Sequence, residues 1–163
     1  MATPTPRPIS PAERRARQNR VVRLARELGF VGRVEYRHVH SRSGGAQYGQ
    51  AARAADDLLT IYAEAFERDA DPADFSLAAI IAHERGHQLL FRHPRLANRV
   101  SGQVSIAGEE ILASLVGAVI SADLNDRRML AAKAAAELLS LGVSREHAAR
   151  QIEQLWPLLR AIL

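Results

Sequence analysis

The spacing of apolar residues along the chain changes character several times. Val21, Val22, Leu24 and Leu28 fall on one stripe at helical spacing. They are preceded by Ser10-Pro11-Ala12-Glu13 and followed by Gly29, so a capped helix is predicted over about residues 10–28. From Val31 the period becomes two: Val34, Tyr36 and His38 alternate with Glu35, Arg37 and Val39, the signature of a half-buried strand. Ser41 to Gly45 reads as a turn, Ala46 to Ala52 as a second strand, and the β-branched and aromatic run Leu58 to Ala63 as a third, central or at an exposed edge. Helical spacing returns from Leu77 to Phe91, with Asp71-Pro72-Ala73-Asp74 as its start signal and Pro94 closing it around residues 91–93.

Arg95 to Val104 reads as a loop, and Ser105 or a neighbour caps a second apolar helix, Gly108 to Ile120. Asn125-Asp126 is expected to cap a helix through Ser140, closed by Gly142. Ser144 caps the last helix, which Pro157 should kink or break after Trp156. The stretch from Met129 to Leu163 has the pattern of an αα-hairpin packed on the core or on a partner. After the first helix, a block of strands followed by a block of helices gives an α+β class.

At 163 residues the chain is most simply one domain, assigned to residues 10–163 with a core over 31–122 and C-terminal helices over 125–163. Residues 1–9 carry three prolines and little to bury and are expected as a disordered tail. With no cysteine, disulfides, thiolate metal sites and cysteine nucleophiles are excluded, and any metal must use histidine and carboxylate. No apolar run approaches a membrane span or resembles a signal peptide, so no membrane partner and a cytoplasmic location are expected. The net charge of +4 comes from arginine, Lys133 being the only lysine. Arg14, Arg15, Arg17, Arg20, Arg23 and Arg26 cluster in the first helix. A solvated basic face accounts for them better than a nucleic-acid surface, since no nucleic-acid module accompanies them.

Inside the Leu77–Phe91 helix lies His83-Glu84-Arg85-Gly86-His87, an H-E-x-x-H pattern. Residues four apart on a helix share a face, so both imidazoles can converge on one metal ion with Glu84 beside them. Zn²⁺ is the expected metal, since it binds imidazole nitrogen readily, and Glu84 is placed to act as general base toward water. Buried without a partner, these side chains would be costly.

A catalytic zinc site needs a third ligand, and two residues compete for it. Glu110, in the first turn of the second helix, has Ala113, Ser114 and Gly117 three, four and seven positions on, small enough to let that helix approach the first closely. Glu109 beside it is expected to complement the helix dipole. His93, ten residues after His83, has the spacing of H-E-x-x-H-x-x-G-x-x-H sites, but Leu90 stands where that arrangement needs glycine. His38 and His40 are read as strand-face residues.

H-E-x-x-H followed by Glu110-Ile-Leu-Ala113, an E-x-x-A pattern, resembles the gluzincin branch of zinc metallopeptidases over roughly residues 31–122. Phe75 to Leu90 is similar to the ImmA/IrrE group of metallo-endopeptidases. His93 to Arg99 followed by Glu109 to Ala113 is similar to the zincin domain of ArdC-type antirestriction proteins. The resemblance implies a small zincin-like fold with a short mixed sheet, His83, His87 and Glu110 as zinc ligands, and Glu84 as general base. It further implies a protein or peptide substrate, a repressor among the candidates, and a strand above the cleft, here the third, that pairs an extended peptide.

Two positions depart from that pattern. Ser114 stands where the branch usually has aspartate to orient a zinc histidine, a weaker partner. Arg85 replaces a leucine, read as neutral on an exposed face. No residue is convincing as the group that stabilises the oxyanion, the candidates being Tyr62, His93, Arg95 and Arg99. A catalytically weak zincin-fold regulator that binds protein or nucleic acid is the alternative expectation.

Overall fold

The computed structural model describes residues 4–96 and 106–163. Helix α1 spans Pro11–Glu27, with the Ser10 hydroxyl accepting from the Glu13 N–H at 3.0 Å. The helix stops where Gly29 takes a φ of 80°. Strands β1 (Arg33–Arg37), β2 (Ala46–Gly49) and β3 (Leu58–Tyr62) form a mixed sheet in the order β1-β3-β2, with β1 parallel and β2 antiparallel to β3. The third strand is therefore central, and β1 and β2 are the two edges. The register aligns Val34 and Tyr48 with Leu59, and Tyr36 and Ala46 with Ile61, so the period-two pattern read from the sequence puts one apolar face against the helices.

Helix α2 (Ala63–Asp69) follows β3 directly and has no counterpart among the predicted elements. Asp71, expected to cap the active helix, instead turns the chain by accepting from the Ala73 N–H at 2.9 Å. Helix α3 runs Leu77–Arg92, and its N-cap is Ser76, whose hydroxyl accepts from the Ala79 N–H at 3.0 Å and donates to Asp126 at 2.7 Å. Then follow α4 (Ile106–Ile120), α5 (Leu124–Ser140) and α6 (Arg145–Ile162). The cap of α5 is Asp123 rather than Asn125 or Asp126. Ser144 caps α6 as expected, but α6 continues through Pro157. Most of the Arg95–Val104 loop, and the Ser105 cap, lie outside the described residues.

Residues 4–9 depart from the expected disordered tail. Ile9 packs on the core and the Arg7 carbonyl accepts from His38 Nε2 at 2.8 Å. His40 holds the Pro4 carbonyl with one ring nitrogen and Glu67 with the other, at 2.6 Å. Both histidines thus fasten the chain start, away from the H-E-x-x-H helix.

Helix α3 divides two cores. On one side Leu77 and Ile81, fully buried, meet Val21, Ala25, Phe30, Leu59 and Ile61; on the other Leu90 joins Ile111, Leu115, Val116, Leu138 and Leu159. Each of the larger side chains contributes on the order of 1.5–3 kcal/mol by leaving water. The hairpin α5–α6 packs on this second core. Between α3 and α4 the backbones nearly touch: a Cβ on Gly86 would lie 2.2 Å from the Ala113 carbonyl oxygen, and one on Gly117 2.8 Å from that of Ala82.

Behind α3, Asp57 is fully buried at the start of β3. Tyr48 donates to it at 2.8 Å, the Ala51 N–H at 2.8 Å, Gln88 at 2.9 Å, and Arg92 through Nε at 3.1 Å and Nη2 at 2.5 Å. Buried Gln88 also pairs with the Val31 backbone in both directions. Burial alone would raise the Asp57 pKa, but these donors, Arg92 foremost, hold it well below the usual carboxylate range.

Gly86→Ala is expected to push α3 and α4 apart and lower the melting temperature by several degrees, corresponding to roughly 1–3 kcal/mol of overpacking, measured by thermal unfolding. Because the folded pKa of Asp57 lies below the unfolded one near 3.8, its stabilisation is present above that value and is lost as pH falls through the folded one. Urea midpoints followed from pH 5 down to pH 2 should therefore fall, and fall less steeply in Asp57→Asn, which starts from lower stability.

Candidate metal centre

Helix α3 presents His83 and His87 one turn apart, with ring centroids 4.8 Å apart. Helix α4 runs antiparallel to it across the glycine contacts and delivers Glu110 to the same point. The Nε2 atoms of the two histidines are 3.2 Å apart. Glu110 sets one carboxylate oxygen 3.1 Å from His83 Nε2 and the other 3.1 Å from His87 Nε2. Among the described residues these three form the one group of histidine and acidic side chains close enough to hold an ion.

Donor chemistry and spacing both fit Zn²⁺. Two imidazoles and a carboxylate are its ordinary ligands, and tetrahedral bonds of about 2.0–2.1 Å put neighbouring donor atoms roughly 3.3 Å apart. Each histidine also has its other nitrogen engaged. His83 Nδ1 lies 3.0 Å from the Ser114 hydroxyl, and His87 Nδ1 3.4 Å from Glu109. Donation from Nδ1–H to these oxygens leaves both Nε2 lone pairs for a metal. Ser114 thus stands where it can orient His83, although a serine is a weaker partner than the aspartate expected there. Glu109, read from sequence as a dipole-complementing residue, stands against His87.

In this cluster a proton can take the place of a cation. The two histidines hold the Glu110 carboxyl well below its usual range, against the opposing effect of burial. Burial works against charging His87, but Glu110, Glu84 and Glu109 outweigh it and raise its pKa. A metal must displace that proton, so its affinity falls as pH falls.

Glu84 lines the same cavity, of about 480 Å³, together with His83, His87, Glu110 and residues of β2. Burial, partly opposed by His83 and His87, raises its pKa; the Tyr48 backbone N–H also interacts with it. A carboxylate moved toward neutrality is a more effective proton acceptor and donor near pH 7. Tyr48 turns its hydroxyl the other way, to Asp57; burial and that carboxylate push it up to about 12.

The remaining sequence candidates fall elsewhere. His93 is the C-cap of α3, and its Nδ1 accepts from the Leu96 N–H at 3.3 Å; it is not in the cluster. Neither Tyr62, His93 nor Arg95 lines the cavity, and Arg99 is outside the described residues. Arg85 is half-buried rather than on an exposed face, and donates to Gln88 at 2.6 Å and to the Leu28 carbonyl at 3.3 Å.

In α1, Arg17 is taken up by Glu13 and Tyr36, Arg20 by Asp69, Arg23 by Glu27, and Arg26 by the Phe30 and Gly32 carbonyls. Most of the basic cluster is thus already engaged. Sequence reasoning passed over Lys133 of α5, which lines the cavity; being the only lysine was its sole signal.

No helix of the described residues is long and apolar enough to cross a membrane. Compared with protein-family models, with curated proteins and with solved structures, the chain matches none.

Ser114→Ala should leave the fold intact and weaken zinc binding about 10- to 100-fold, measured by competition with a chromogenic chelator at fixed pH.

Proposed function

We propose that this protein is a zinc-dependent peptidase related to the gluzincin branch, similar to the ImmA/IrrE or ArdC-type groups, and acting in the cytoplasm on a narrow set of protein substrates, a repressor among them. The observation that carries this is the convergence of His83 Nε2, His87 Nε2 and the Glu110 carboxylate beside an enclosed Glu84 at the wall of a cavity open to β2.

Zinc, when bound, supplies a Lewis acid that polarises a carbonyl and acidifies water to a pKa of about 7. The chain's own residues do the rest. His83, His87 and Glu110 hold the ion, with Ser114 and Glu109 fixing the histidine rings. Glu84 takes a proton from water as the water oxygen bonds to the carbonyl carbon, and gives it to the nitrogen as the C–N bond breaks. An extended peptide can lie along the free edge of β2, the strand that lines the cavity, and pair with its backbone.

Elemental analysis is expected to find one zinc per native chain, lost in Glu110→Ala and kept in His93→Ala. Glu84→Gln should keep the zinc and lose cleavage of a proteome-derived peptide library, read by mass spectrometry, by about 10²–10⁴-fold. A native chain that takes up no zinc, or equal cleavage by Glu84→Gln, overturns the peptidase assignment.

A further inference from the structure

Lys133 reaches the cavity from α5, in the C-terminal hairpin, and neither the metal ligands nor Glu84 account for it. Its Nζ lies 2.6 Å from Glu137 Oε1, 3.5 Å from the Ser114 hydroxyl and 3.9 Å from Glu110 Oε2. An ammonium carries three donors and no acceptor. Glu137 takes one in a short bond, the Ser114 contact is at the outer limit of a hydrogen bond, and Glu110 is beyond that limit. Among the described residues, at least one donor is therefore without a partner at the cavity wall. Arg68, the other basic residue lining the cavity, is committed to Asp74 through two nitrogens and to the Gly44 carbonyl. Of 22 basic residues in the chain, the only lysine stands here, a compact point charge where an arginine fork would be larger.

We propose, on the strength of the peptidase reading, that Lys133 binds the carbonyl oxygen of the scissile peptide and stabilises the charge that gathers on it. As the water oxygen bonds to the carbonyl carbon, the carbonyl π pair moves onto that oxygen and the water proton goes to Glu84. The pair then returns, the C–N bond breaks, and Glu84 passes the proton to the leaving nitrogen. Lys133 keeps its own protons throughout and acts only as donor and charge. It supplies the oxyanion-stabilising group that none of Tyr62, His93 or Arg95 is placed to provide.

The test uses zinc-loaded native protein, Lys133→Met and Lys133→Arg. Each is titrated calorimetrically with a phosphinic dipeptide, a tetrahedral anion, and with acetohydroxamate, which needs only the metal. Lys133→Met should keep one zinc per chain, bind the phosphinate more weakly by about tenfold or more, and bind acetohydroxamate nearly as before. Lys133→Arg should recover part of the loss, which separates lost charge from a disturbed fold. Unchanged phosphinate affinity in Lys133→Met overturns the assignment, as does loss of zinc in that variant, which would make Lys133 a support for Glu110. A native protein that holds zinc yet binds neither compound overturns the peptidase reading itself, and Lys133's role with it.

Discussion

Helices α3 and α4 lie so close that no carbon fits between them at two points, Gly86 against Ala113 and Gly117 against Ala82. Everything at the candidate centre follows from that approach. His83 and His87 each come one position after a contact residue of α3, while Glu110 and Ser114 flank Ala113 on α4. The distance between the backbones therefore sets the distance between imidazole and carboxylate. Separating the helices by the width of a methyl group would part donors now 3.1 Å apart. The alanines and glycines of this contact decide geometry, while the leucines and isoleucines to either side provide the stabilisation.

Two polar clusters flank α3, and they are settled in opposite ways. Behind it, Asp57 has four donor groups around a fully buried carboxylate, so its charge is fixed by the fold. In front, Glu110 is half-exposed and shared by two histidines, 3.1 Å from each. The rear network ties α3 to β2 and β3 through Tyr48, Gln88 and Arg92, and Tyr48 belongs to both clusters: its hydroxyl goes to Asp57 and its backbone to Glu84. Helix α3 thus has a fixed polar support on one side and a solvent-facing carboxylate shared by two imidazoles on the other.

Much of this was readable from residue order because it is local. The helical stripe of α1, the alternation through Val34 and Tyr36, the caps at Ser10 and Ser144 and the four-residue spacing of the histidines are all properties of neighbouring positions. Glu110 was reachable because small residues at helical intervals signal close helix packing. What escaped was set by tertiary choice. Asp71 and Ser76 both carry good capping chemistry, and the helix took Ser76, which also pairs with Asp126 fifty residues away. Strand order is not encoded in any one strand, so the edge position of β2 was hidden. Arg85 and Asp57 owe their roles to partners far along the chain, and Lys133 shows no pattern until α5 is folded against α4.

The cavity is walled by residues from Ser43 to Lys133, and its last wall belongs to a hairpin that packs on both α4 and α3. A chain emerging from the ribosome carries the H-E-x-x-H helix long before that hairpin exists. Translation order thus gives the molecule an immature form in which the histidines are made and the pocket around them is not.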